Sequence, residues 1–279
     1  MTDQLAKISA RIDSIKQLAT VVNAMKGIAA GNVRKALAQV EAVDSYAAII
    51  ADAMSSALPP ETSRETRPTQ ETAFGKNGLL VFCAEQGFAG PFSERVLDSV
   101  SGTEESWDLL LVGTRGLSIA TARGLAPIWN AAMPSHSVSI PKLADDIVDT
   151  VFGFIDAGEM ERLDVVYPAL EMGKIQIICK KLFPLDFTQF PRKTVEIPLT
   201  QLPPEELLTR LGAEYIHAPI CKSALHAFAA ENQARMVAMS SANSQISAEL
   251  DLFHAKLRRV RQETITSEII ELSTGTAAR

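Results

Sequence analysis

No proline interrupts the chain before Pro59, and over that stretch apolar residues recur at Leu5, Ile8, Ile12, Ile15, Leu18, Val22 and Met25, then at Val33, Leu37, Val40 and Val43. Steps of three and four place these side chains on one face of an α-helix. One helix of roughly 50 residues would run on the order of 75 Å at 1.5 Å per residue. An ordinary globular helix is several times shorter. An apolar stripe of that length needs an equally long partner to cover it.

The partner is expected near the other end of the chain. Met236, Met239, Asn243, Ile246, Leu250, Phe253, Leu257 and Val260 step by three and four without a break, which is a heptad seam. Asn243 falls on a core-type position, where an amide would hold register at some cost in stability. The pattern extends backward through Phe228 and Ala224 toward Pro204-Glu205-Glu206, with acidic residues at the positive end of the helix. Pro219 predicts a kink or a restart, since it donates no N–H and crowds the preceding turn.

Between the helices the pattern changes. Residues 58 to 74 carry three prolines among polar side chains and read as an exposed linker. Gly78 to Cys83 and Asp108 to Val112 are short continuous apolar runs, as in strands buried on both faces. Amphipathic stretches follow at Phe92 to Val100, Leu117 to Arg123 and Leu143 to Ile155, and Leu163 to Leu170 with Lys174 to Phe183 reads as a hairpin turning at Glu171-Met172-Gly173. Alternating strand and helix predict a mostly parallel sheet. The expected fold is therefore α/β: a long antiparallel coiled coil of N- and C-terminal helices with an inserted Rossmann-like α/β domain. Its expected divisions are a first helix over 1–57, a linker over 58–76, the α/β domain over 77–203 and a last helix over 204–279.

Little in the sequence supports chemistry. A formal net charge of -6 and a pI near 5.4 argue against a nucleic-acid partner. Three widely spaced cysteines, Cys83, Cys179 and Cys221, read as buried small hydrophobes. The turn Glu85-Gln86-Gly87-Phe88-Ala89-Gly90-Pro91 has two of the glycines a dinucleotide fingerprint needs and then a proline. Gly113-Thr114-Arg115-Gly116 lacks the lysine of a phosphate loop. His136, His217, His226 and His254 have no metal-ligand spacing, and Asp145-Asp146 reads as the acidic start of a helix. Neither a cofactor nor a metal site is expected, and neither is a signal peptide or a membrane span. The basic cluster Lys256, Arg258, Arg259 and Arg261 is flanked by acidic residues and reads either as a solvated face or as a contact for an acidic partner loop.

Two stretches resemble a known family. Gln233-Ala234-Arg235-Met236-Val237-Ala238-Met239 with Ala242-Asn243, and Arg261-Gln262-Glu263-Thr264-Ile265-Thr266 with Glu268-Ile269-Ile270, are similar to the C-terminal signature of the F-type ATP synthase γ subunit. Ile12-Asp13-Ser14-Ile15-Lys16, Ala24-Met25-Lys26-Gly27-Ile28-Ala29-Ala30 and Arg34-Lys35-Ala36 resemble the first helix of that family. The resemblance is looser in the middle, where Ala84-Glu85-Gln86-Gly87-Phe88-Ala89-Gly90 stands at a turn that usually reads serine, aspartate, any residue, glycine, leucine, cysteine, glycine. What the resemblance implies is a non-catalytic rotor shaft coupling transmembrane ion flow to ATP synthesis or hydrolysis. Its implied partners are the α and β subunits of the catalytic ring, the ε subunit and the membrane c-ring, at the cytoplasmic face of the inner membrane. Met25, Lys26, Arg261 and Gln262 are the implied contacts with the ring, lying close together across the two helices. A free-standing coiled-coil scaffold and a nucleotide-binding α/β enzyme are the alternatives.

Overall fold

A computed structural model describes residues 2–57, 76–100, 107–185 and 200–277. The expected linker falls almost wholly outside them. Among the described residues eleven elements follow one another: α1 (Thr2–Ala57), β1 (Lys76–Phe82), α2 (Phe92–Val100), β2 (Trp107–Val112), α3 (Thr114–Ala122), β3 (Trp129–Ala131), a short 3-10 turn (Ser137–Ser139), α4 (Ile140–Asp156), β4 (Met160–Glu171), β5 (Lys174–Phe183) and α5 (Pro204–Ala277). They divide into two compact units, one of Met1–Ala30 with Arg235–Arg279 and one of Gly31–Ala234.

The first unit is built from α1 and α5 alone. Ile8 and Ile12 are buried with Val260, flanked by Leu5 and Leu257. Ile15 and Val22 are buried with Ile246 and Met239, flanked by Ala19 and Met25. Partners on α5 fall in number as those on α1 rise, so the helices run antiparallel. The seam departs from the expected spacing at one point: Leu18 is 52% exposed and Ala19 packs inward. Strict alternation of four and three from Ile8 through Ile12 and Ile15 leads to Ala19 and Val22, so the small residue carries the stripe and Leu18 falls outside it.

The second unit holds a five-stranded sheet in the order β3-β2-β1-β4-β5. β3, β2, β1 and β4 are parallel, and β5 closes an antiparallel hairpin on β4. Successive residues of β1 feed opposite cores. Leu79 and Val81 pack with Phe92, Val96 and Leu97 of α2 and with Ala120 of α3. Leu80 and Phe82 pack with Ile140, Ala144 and Ile147 of α4, Ala36 and Val40 of α1, and Ile220 and Phe228 of α5. A strand buried on both faces leaves no room for polar alternation, which explains the continuous apolar runs. The hairpin turns on Met172 and Gly173, both at positive φ (48° and 76°), the pattern of a two-residue type I′ turn.

Polar contacts join α1 to α5 within this unit. Asn32 Nδ2 donates to Asn232 Oδ1 at 3.2 Å, Lys222 Nζ to Asp44 Oδ1 at 2.5 Å and Tyr46 Oη to Glu214 Oε2 at 2.5 Å. The buried amide that bridges the helices is therefore Asn232, while Asn243 is only half-buried.

Four further expectations need correction. α5 runs through Pro219 without a restart. Asp145 and Asp146 do not open α4, which starts at Ile140 with a proline in its first turn; Asp145 instead faces His217 Nε2 at 3.1 Å. Cys179 is exposed on β5, whereas Cys83 and Cys221 are buried. β3 has only three residues and escaped the sequence reading, because so short a run carries no measurable period.

Candidate functional site

The terminal pair of helices presents the sequence-derived contacts at two separate levels. Met25 packs into the seam with Val22 and Met239, and Lys26 Nζ donates to Ser240 Oγ at 3.2 Å. Arg261 and Gln262 are exposed and follow Val260, whose partners on α1 are Ile8 and Ile12. Ser240 and Arg261 lie 21 residues apart on one helix, roughly 30 Å at 1.5 Å per residue. The expectation that the four residues lie close together is corrected on that ground. Antiparallel pairing matches Lys26 with Ser240, and Arg261 with the start of α1. Beside it, Arg259 Nε and Glu263 Oε1 form an i,i+4 pair at 3.0 Å, so part of the basic cluster is neutralised within its own helix face.

The other candidate lies in the second unit, at the carboxyl ends of the parallel strands. This is where open α/β folds seat their ligands, beside the central strand from which connections leave in both directions. Here that strand is β1. The backbone N–H groups of Glu85 and Gln86, just beyond it, donate to Glu231 Oε2 at 3.0 Å and Glu231 Oε1 at 3.2 Å. Glu231 belongs to α5 and is only 3% exposed. Glu85 in turn accepts from three donors: Thr114 N–H at 2.9 Å, Thr114 Oγ1 at 2.7 Å and Met133 N–H at 2.9 Å. Thr114 opens α3, and Met133 follows β3. Carboxylates of the chain thus engage the amides that a phosphate would need. Gly113, at φ 113°, lets the β2–α3 turn pass over β1, because a Cβ there would meet Cys83 O at 2.6 Å. At the loop's tip Phe88 has φ 63° and is 68% exposed. A large side chain held in the left-handed region and turned to solvent is a costly arrangement.

Sequence reasoning found the loop through its glycines and missed Glu231, which sits 146 residues from the amide it serves. A glutamate on a long helix carries no local mark of such a partner. Among the described residues there is no cluster of His, Cys, Asp and Glu able to hold a metal ion, and no helix long and apolar enough to cross a membrane.

The family model described as ATP synthase matches residues 4–278. The chain belongs to the ATP synthase gamma chain family. The ATP synthase gamma chain of Gluconobacter oxydans is 28% identical over 98% of this chain and 99% of its own length. Among solved structures, a chain from the Euglena gracilis mitochondrial ATP synthase in its OSCP/F1/c-ring portion aligns with a TM-score of 0.65 at 13% identity, over 100% of this chain and 95% of that one. A chain from the rotor of the same enzyme gives 0.61 at 12%, covering 95% and 100%. At such identities the structural likeness shows the fold, and it extends to the long terminal helices as well as the sheet. Membership of the gamma chain family therefore rests on sequence over nearly the whole chain.

Proposed function

We propose that this chain is the central rotor shaft of a rotary F-type ATP synthase, coupling ion flow across a membrane to ATP synthesis or hydrolysis on a ring of α and β subunits. The observation that carries the reading is the pairing of the chain's own two ends: Ile8 and Ile12 with Val260, Ile15 and Val22 with Ile246 and Met239. A scaffold coiled coil would find its partner in a second copy. Here the stripe is covered intramolecularly, leaving the outer faces for a surrounding sleeve. The chain itself performs no catalysis in this reading. The engagement of the strand-end amides by Glu231 and Glu85 supports that view, since a bound nucleotide would have to displace them.

Rotation of an asymmetric shaft changes which conformation each β subunit favours, and so exchanges their nucleotide affinities. Arg261 and Gln262 form one contact level with the ring, and Met25 and Lys26 a second, further along the same pair of helices. The α/β unit faces the ε subunit and the c-ring, and the complex sits at the cytoplasmic face of the inner membrane.

The test is co-purification of the tagged chain with α and β subunits, followed by replacement of both Arg261 and Gln262 by leucine. Leucine preserves helix propensity but removes the guanidinium fork. The double variant is expected to assemble normally by gel filtration and to lower multisite ATP turnover. Unchanged turnover in a fully assembled complex refutes the contact role, and failure of the wild-type chain to capture α and β refutes the rotor reading.

A further inference from the structure

We propose that Glu231 and Glu85 are positioning residues that lock the β1–α2 loop, with Phe88 at its tip, to helix α5, so that turning of α5 reaches the loop surface without slip. The inference rests on the rotor reading above and adds a device to it.

The apolar packing between the sheet and α5 is extensive, but it is non-directional. Ala224, Leu225 and Phe228 could slide past Leu80 and Phe82 by a fraction of an ångström at small cost. The carboxylate contacts differ in kind. Glu231 is buried, and each of its oxygens takes one backbone N–H from consecutive residues, Glu85 and Gln86. A two-point grip on adjacent amides fixes the orientation of the loop as well as its distance. Charge-assisted bonds of this kind are about twice as strong as neutral ones. Glu85 then passes the constraint on to the start of α3 through Thr114 and to the end of β3 through Met133. Carboxylate and backbone alternate from α5 to the carboxyl ends of three strands. Phe88, two residues beyond Gln86, keeps its left-handed backbone and exposed ring on this anchored base.

Glu231→Gln separates the grip from general packing. The carboxamide keeps nearly the same volume, yet its NH2 end confronts one of the two N–H donors, so one of the two amide bonds of Glu85 and Gln86 is lost. Glu85→Ala cuts the second link, because Glu85 Oε2 accepts from both Thr114 N–H and Met133 N–H and a glutamine oxygen could keep both; the half-buried loop position keeps this test available if the first variant assembles poorly. Both variants are examined in the complete, membrane-reconstituted complex by hydrogen exchange, ATP turnover and ATP-driven ion uptake. The expected result for Glu231→Gln is exchange at the amides of residues 85 and 86 faster on the order of tenfold. Glu85→Ala should do the same at residues 114 and 133. In both variants the ions taken up per ATP hydrolysed should fall at least twofold while assembly is retained. Unchanged exchange overturns the grip. Faster exchange with an unchanged ratio of ion uptake to hydrolysis overturns the positioning role, since a purely structural bond would behave that way. A wild-type chain that supports no uptake at all overturns the rotor reading, a failure distinct from either.

Discussion

Gly27 and Gly31 occupy the interior of α1, four residues apart, and a Cβ built on either meets nothing within 4 Å. Neither φ lies in the left-handed region, so the backbone has no need of glycine. Glycine in a helix interior costs about 0.8 to 1.0 kcal/mol relative to alanine, because it surrenders more backbone freedom on folding. With no clash to set against that gain, Gly27→Ala and Gly31→Ala should each stabilise the isolated chain by about 0.8 kcal/mol or slightly more. The two methyl groups share no partner, so their effects should nearly add, to about 2 kcal/mol. For a chain of this size that corresponds to a rise in Tm of roughly 4 to 8 °C. Thermal unfolding followed by helical circular dichroism, with urea midpoints as a second measure, reads the shift. A double variant no more stable than wild type would show that residues 27–31 are not a continuous helix in the free chain, and the single-helix account of α1 would fail.

Two further outcomes follow from burial. Ile12 is 3% exposed in the seam, whereas Leu18 is 52% exposed, so Ile12→Ala should cost about 2 to 4 kcal/mol and Leu18→Ala less than about 0.5 kcal/mol; urea titration of the two variants that gave equal losses would refute the register. His226 stacks on Tyr167 at 5.9 Å between ring centroids, and burial, with the charge of Lys222 beside it, lowers its pKa below the usual 6.5 against the weaker pull of Asp44 and Glu171. Because the folded chain resists the proton, the unfolded state binds more protons as pH falls below about 6.5, and the stability present above that value is progressively lost toward the folded pKa. Glutamine takes up no proton in this range, so His226→Gln should flatten the loss; an unchanged pH profile between 7 and 5 would remove His226 as its cause.

Much of the fold was legible because it depends on local periods. Ile8, Ile12, Ile15 and Val22 reveal the shaft by their spacing, and Leu79 to Phe82 reveal a doubly buried strand by the absence of polar alternation. Leu18 misled the reading because it is the larger apolar residue next to the position that strict alternation requires, and Ala19 is too small to draw notice. Cys179 looked buried by residue type, although β5 lies at the sheet edge. The contacts that position the loop were illegible for a different reason. Glu231 with Glu85, Asn32 with Asn232, and Asp145 with His217 are each set by how distant segments meet. The same holds for the separation of Met25 and Lys26 from Arg261 and Gln262: each motif can be recognised alone, but their distance apart follows only from the antiparallel register.

The carboxylate of Glu231 can also be regarded as a ligand that never leaves. Being part of the same polymer, it competes for the amides of Glu85 and Gln86 at an effective concentration that a freely diffusing phosphate would find hard to match. A shaft that serves an enzyme handling ATP works in a solution where nucleotide levels rise and fall. With the amides of Glu85 and Gln86 filled from within, a phosphate could reach them only by displacing Glu231, whatever the level of ATP around the shaft.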